Sequence, residues 1–127
     1  MSYADFTAMP VWQLALNPLI KIYATNKSFP VEERYGLVSD MPRAANSITH
    51  NIAKSFGYFE PGDKSSFYKI SRGSAYELIT QILVSLALSY LSSDLKSDLI
   101  AINNQIIKAL NAIIKTLETQ VCPSNND

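Results

Sequence analysis

The side chain best suited to proton transfer in this sequence is His50, the single histidine. A catalytic triad needs an activated nucleophile beside its histidine, and no serine here stands in the glycine pattern of a nucleophile elbow. A lone histidine on a helix is more often a packing or surface residue than a catalyst. We therefore predict a protein without catalytic residues, that is, not an enzyme.

Three carboxylates, Glu32, Glu33 and Glu77, could in principle suggest a metal site. Di-metal sites in helical bundles use Glu-x-x-His pairs, and this sequence contains no such pair. Its single cysteine, Cys122, cannot form a thiolate cluster or an internal disulfide. We expect the glutamates to cap helices and form ion pairs, and we predict neither a metal nor another cofactor.

Positive charge is concentrated around one predicted turn, at Lys54, Lys64, Lys69 and Arg72. Several aromatic residues are interleaved with these cations, a composition that suits phosphate contact and base stacking in single-stranded RNA. Against this, the whole chain has eleven basic and eleven acidic residues, so no net field attracts nucleic acid. The alternative is that the aromatic residues close the end of the fold and the lysines are solvated.

Arg43 and Glu77 are predicted to form an ion pair between two helices. If the second and third helices are antiparallel about a turn near Phe59 and Glu60, the two residues lie at the same level. Lys108 is the competing partner for Glu77. A buried pair of this kind would specify helix register more than it would add stability.

These residues require a scaffold, and the sequence predicts one all-α domain over residues 1–127, an antiparallel up-down four-helix bundle. Apolar residues recur at helical spacing, and prolines and glycines divide the chain. The predicted helices cover about residues 9–26, 30–56, 63–91 and 94–121, followed by a disordered tail at 123–127. Pro42 falls inside the second helix and is expected to bend it.

The last predicted helix carries a second apolar stripe beside its core stripe, formed by Ile100, Ile107 and Ile114. This stripe could widen the buried face of a single bundle, or it could be the seam of an oligomer. Only 17% of the residues are charged, less than the usual quarter of a soluble domain. We therefore favour the oligomer interface.

The N-terminal residues lack a basic region followed by an apolar run, so we expect no signal peptide. The most apolar stretch, residues 79–91, is too short and too polar to span a bilayer. Together with the single cysteine, these features predict a cytoplasmic protein without a membrane partner.

Several short motifs carry a family resemblance. They are Val11-Trp12, Phe29-Pro30, Glu32-Glu33-Arg34-Tyr35-Gly36-Leu37, Arg43-Ala44-Ala45, Asn51-Ile52-Ala53, Arg72-Gly73-Ser74, Glu77 and Gln81. With them the chain resembles the bacterial four-helix-bundle proteins known as rRNA intervening-sequence proteins, over roughly residues 9–120. The resemblance implies a bundle that assembles into a ring of five subunits without known enzymatic activity. Members are often encoded within insertions in large-subunit rRNA genes.

A more distant similarity, to the accessory proteins of diversity-generating retroelements, implies a basic surface that binds nucleic acid and a reverse transcriptase. The sequence thus supports two hypotheses. The first is a non-enzymatic homo-oligomer, a pentamer by resemblance, that acts as a structural or adaptor protein. The second is a nucleic-acid-binding accessory protein, which the neutral net charge does not favour.

Overall fold

The computed structural model describes residues 3–121, with side chains from residue 5 onward, and this part of the chain contains helices and no strand. Its four α-helices are α1 (Pro10–Asn26), α2 (Leu37–Lys54), α3 (Pro61–Ala87) and α4 (Ser93–Val121). Short 3₁₀ segments occupy Tyr3–Ala8, Val31–Glu33 and Ser55–Gly57. The all-α prediction is confirmed. The predicted tail at 123–127 and Cys122 lie outside the described residues.

Each helix packs against the next one in the chain, and α1 also packs against α4, which closes a four-helix bundle. Two side-chain contacts show that α2 and α3 are antiparallel. Ser74 donates a hydrogen bond to Ser47 at 2.7 Å, and the hydroxyls of Ser55 and Tyr68 lie 2.9 Å apart, so residue numbers rise in α2 as they fall in α3. This arrangement confirms the predicted bundle.

The core is a continuous set of aliphatic side chains contributed by all four helices, and their removal from water drives the packing. Its largest fully buried apolar side chains are Ile22, Met41, Ile48, Ile52, Leu78, Ile82, Leu99, Ile106 and Leu110. Pro10 and Pro61 stand at the first helical positions of α1 and α3, where a missing backbone donor costs nothing.

The second helix begins later than the sequence predicted, at Leu37 rather than at Pro30. The reason is a cap built by Glu33, whose Oε1 accepts a hydrogen bond from the Leu37 backbone N–H at 3.2 Å. Gly36 permits this approach, because a Cβ there would lie 2.7 Å from the same oxygen. Tyr90 donates a hydrogen bond to the other Glu33 oxygen at 3.1 Å and so fixes the carboxylate.

The third helix ends at Ala87, four residues before the predicted end. Ser89 adopts the left-handed conformation with φ of 62°, and the Tyr90 backbone N–H returns to the Ser85 carbonyl at 2.8 Å. Left-handed residues commonly end helices in this way. Ser92 then caps the start of α4, since its hydroxyl accepts a hydrogen bond from the Leu95 N–H at 3.1 Å.

Candidate functional site

The isoleucine stripe of α4 faces the interior of the bundle, which corrects its assignment to an oligomer interface. Ile107 and Ile114 are buried, with exposed fractions of 6% and 3%, and Ile100 is partly buried against the same core. The stripe widens the buried face of α4 because this helix packs against both α3 and α1. The apolar face that is open to solvent lies on another helix.

Such a face lies on α3 and the residue directly after it, where five large apolar side chains are 41–55% exposed. Three small exposed residues stand between them at intervals of seven residues, so they lie along one line of the helix. We call this surface the α3 outer face. It comprises Ile70, Gly73, Tyr76, Thr80, Leu83, Val84, Ala87 and Leu88.

Gly73, near the N-terminal end of the α3 outer face, has no structural role within the protomer. A Cβ placed on it would meet no atom within 4 Å. Glycine in a helix interior costs about 1 kcal/mol relative to alanine. The protomer thus carries a destabilising residue at an exposed position that alanine could occupy without a clash, and a close approach by another helix would explain it.

The four predicted nucleic-acid contacts do not form one free basic patch, because three of them have partners within the chain. Lys64 donates to the Ser55 carbonyl at 2.9 Å and lies over the ring of Phe56, 5.4 Å from its centroid. Lys69 and Arg72 contact α4 instead. Lys69 pairs with Glu118 at 3.0 Å, and Arg72 donates to Asn111 at 2.8 Å. Lys54 is exposed on α2, apart from these contacts.

The predicted ion pair between Arg43 and Glu77 is not formed among the described residues. Arg43 instead pairs with Asp40, one turn away on α2, at 3.5 Å, and donates to the Ser39 hydroxyl at 3.2 Å. The two helices are antiparallel as expected, but both side chains point outward and remain exposed. Matching levels along the helices did not place the side chains on facing surfaces.

A shallow, open depression of about 420 Å³ lies on the outer side of α2. We call it the α2 groove. Its lining residues recur at intervals of three and four, so they form one face of the helix. They are Arg43, Asn46, Ser47, His50, Asn51 and Lys54. The spacing of these residues is visible in the sequence, but that the face points outward follows only from the packing of α2 against its neighbours.

Hydrogen bonds tie the α2 groove to both neighbouring helices. Asn46 donates to the Tyr23 hydroxyl of α1 at 3.0 Å, and Ser47 accepts from Ser74 of α3 at 2.7 Å. Asn51 donates to Ser47 from the adjacent turn at 3.0 Å. These bonds hold the polar groups in place before any ligand arrives. His50 and Lys54 are exposed and have no ion-pair partner within residues 5–121.

Within the described part of the chain, no three His, Cys, Asp or Glu side chains lie close enough together to hold a metal ion. No helix in that part is both long enough and apolar enough to cross a membrane.

The chain is similar to a known protein family and to a solved structure. A family model described as 23S rRNA-intervening sequence protein matches residues 7–112, most of the chain. A crystal structure of a protein with unknown function from the S23 ribosomal protein family of Bacteroides thetaiotaomicron VPI-5482 is similar to this fold. Its TM-score is 0.75 at 20% sequence identity, and the match covers 83% of this chain and 95% of that one. No curated protein sequence matches.

Proposed function

This chain belongs to the 23S rRNA-intervening sequence protein family, and we propose that it is a non-catalytic structural or adaptor protein whose copies assemble through the α3 outer face. The observation that carries this proposal is the set of five half-exposed apolar side chains on a helix whose opposite side already fills the core. Soluble monomers rarely expose large apolar patches without an interaction partner.

The chemistry of the α3 outer face suits a second copy of the same chain. Burying apolar side chains is favourable and non-directional, and the small residues between them allow helices to approach closely. Two charged residues lie on this side of α3. Lys69 is paired with Glu118. Glu77 stands seven residues from both Ile70 and Val84, is exposed, and interrupts the apolar surface. The net charge of zero also removes long-range repulsion between copies. A ring of five subunits, as the resemblance implies, is the assembly that we propose.

Light scattering on the purified protein tests the assembly proposal. We expect a mass several times that of one 14.1 kDa chain at micromolar concentration. A monomer under those conditions would refute the proposal. A mass of two or three chains would retain assembly and refute the ring of five.

The nucleic-acid-binding alternative has less support at the residues predicted for it, because Lys64, Lys69 and Arg72 have partners within the protomer. Breaking these contacts would offset part of any gain from phosphate binding. A nucleic-acid-binding role would therefore need a different surface of the bundle.

A further inference from the structure

We propose that the α2 groove binds a single-stranded nucleic acid, with its cations on phosphates and its uncharged residues on sugars and base edges. The site lies on α2 and is distinct from both the α3 outer face and the cations around the turn before α3. All six of its lining residues belong to one protomer.

The electrostatic character of the α2 groove favours an anion. Its lining includes Arg43, Lys54 and His50 and contains no carboxylate. The nearest acid with a contact to these residues is Asp40, which pairs with Arg43 at 3.5 Å. The side chains of this pair are 75% and 50% exposed, so the pair is weak and leaves the guanidinium open to a phosphate.

The length of the α2 groove favours a polymer over a single phosphate. Arg43 and Lys54 are eleven residues apart on one helix, which separates their Cα atoms by about 16 Å. A nucleic acid strand carries one phosphate per 3.4 Å of a stacked helix, so a strand along α2 could contact both cations with different phosphates. The groove is open to solvent, so that a strand can reach its lining residues.

The uncharged residues of the α2 groove distinguish a nucleic acid from an acidic peptide. Asn46 donates to Tyr23, and Asn51 donates twice to Ser47, so their carbonyl oxygens remain as acceptors, which a carboxylate cannot use. Sugar hydroxyls and base edges offer both donors and acceptors, and single strands leave those edges accessible. Asn46 and Ser47 are held by the bonds to Tyr23 and Ser74, so ordering these two side chains costs little on binding.

Fluorescence anisotropy with an end-labelled single-stranded RNA of mixed sequence tests this proposal. The site variant is Arg43→Ala with Lys54→Ala, and the matched control is Lys108→Ala with Lys115→Ala, which removes the same charge from exposed positions of α4. A third variant, Lys69→Ala with Arg72→Ala, addresses the cations that contact α4. Circular dichroism confirms that each variant retains its helices.

We expect the site variant to bind the RNA at least about tenfold more weakly and to lower the slope of log affinity against log salt by about 1.4, or about 0.7 for each lost contact. The two other variants should stay within about threefold of wild type, since they leave the groove intact. Equal losses in all three variants would show diffuse charge attraction and overturn the site. Undetectable binding of RNA by the wild type would also overturn it.

Two further probes distinguish nucleic acid from other anions. A duplex RNA of the same length should bind more weakly than the single strand, because its base edges are paired. A poly-glutamate peptide of equal charge should compete poorly. Preferential binding of the peptide would assign the groove to an acidic protein partner and overturn the nucleic-acid proposal. None of these outcomes alters the mass of the assembly, so the α3 proposal stands or falls separately.

Discussion

The outward surfaces of α2 and α3 differ in chemistry although the two helices are neighbours in one bundle. The α2 groove consists of amides, hydroxyls and cations. The α3 outer face consists of half-exposed aliphatic and aromatic side chains with small residues between them. Both helices fill the same core from their inner sides, through residues such as Ile48 and Leu78.

The fold of the protomer requires an apolar inner face on each helix, but it does not require the outer apolar residues of α3. A helix on the surface of a soluble bundle needs only one apolar stripe, and α2 follows that pattern. The outer apolar residues of α3 add nothing to the protomer core and expose apolar area to water. We therefore attribute the α3 outer face to contact between copies, and the α2 groove to a hydrated, charged partner.

The largest expected effect comes from placing charge on the α3 outer face. Leu83→Glu with Val84→Glu should convert the assembly to monomers, because burying two carboxylates at each contact costs more than about 5 kcal/mol. Light scattering measures the mass. The matched control is Ala101→Glu with Ala112→Glu, at exposed positions of α4, which should keep the wild-type mass. Dissociation of the control variant alone would show that the interface lies on α4 instead.

A core truncation on α4 should produce the next largest effect, on folding rather than on assembly. Ile107→Ala should lower the free energy of unfolding by about 2–5 kcal/mol, because it leaves a cavity in the protomer core. Urea denaturation at one fixed protein concentration measures this loss. The folded fraction should retain the wild-type mass. Loss of assembly without loss of stability would show that the isoleucine stripe forms the interface between copies.

Gly73 gives a smaller but more specific test of the α3 outer face. Two substitutions there should have the same effect on folding and different effects on assembly. Gly73→Ala and Gly73→Leu should each favour the helix of an isolated protomer by about 1 kcal/mol, since a side chain meets no atom there. In the assembly the leucine should obstruct the neighbouring copy, while the alanine should be tolerated. Sedimentation equilibrium compares the two variants, and identical association constants would contradict close helix packing at this residue.

The smallest effect is expected for the stability of the α2 groove. Removing both cations, with Arg43→Ala and Lys54→Ala, should change the free energy of unfolding by less than about 1 kcal/mol. Arg43 loses one exposed ion pair, to Asp40, and one exposed hydrogen bond, to Ser39. Lys54 has no ion pair among the described residues. Thermal denaturation at fixed protein concentration provides the measurement. A loss above 2–3 kcal/mol, the scale of a core defect, would show a structural role and weaken the ligand assignment.

The fold could be predicted from the sequence because helical periodicity and helix-ending residues are local signals. Two helix ends could not, one because it depends on a contact distant in the chain and the other because it depends on a rare local conformation. The Glu33 cap at the start of α2 is fixed by Tyr90, a residue 57 positions away. The end of α3 depends on the left-handed conformation of Ser89, which a serine rarely adopts.

The site residues were harder to predict than the fold, because the direction of a side chain depends on which helices surround it. Ile107 appeared free to form an interface, but α4 buries it against its neighbours. Arg43 was placed at the level of Glu77, but its side chain turns to Asp40 on the same helix. The α2 groove and the α3 outer face emerged only once the buried side of each helix was known.

Hydroxyl-radical footprinting over a range of protein concentrations tests the central claim most directly, because it reports which side chains assembly covers. We predict that Tyr76 and Leu83 become protected as the protein is concentrated. Tyr35 and Phe59, which are 87% and 92% exposed elsewhere on the bundle, should remain equally reactive. Constant reactivity of Tyr76 and Leu83, or protection of Tyr35 and Phe59 in their place, would contradict assembly through the α3 outer face.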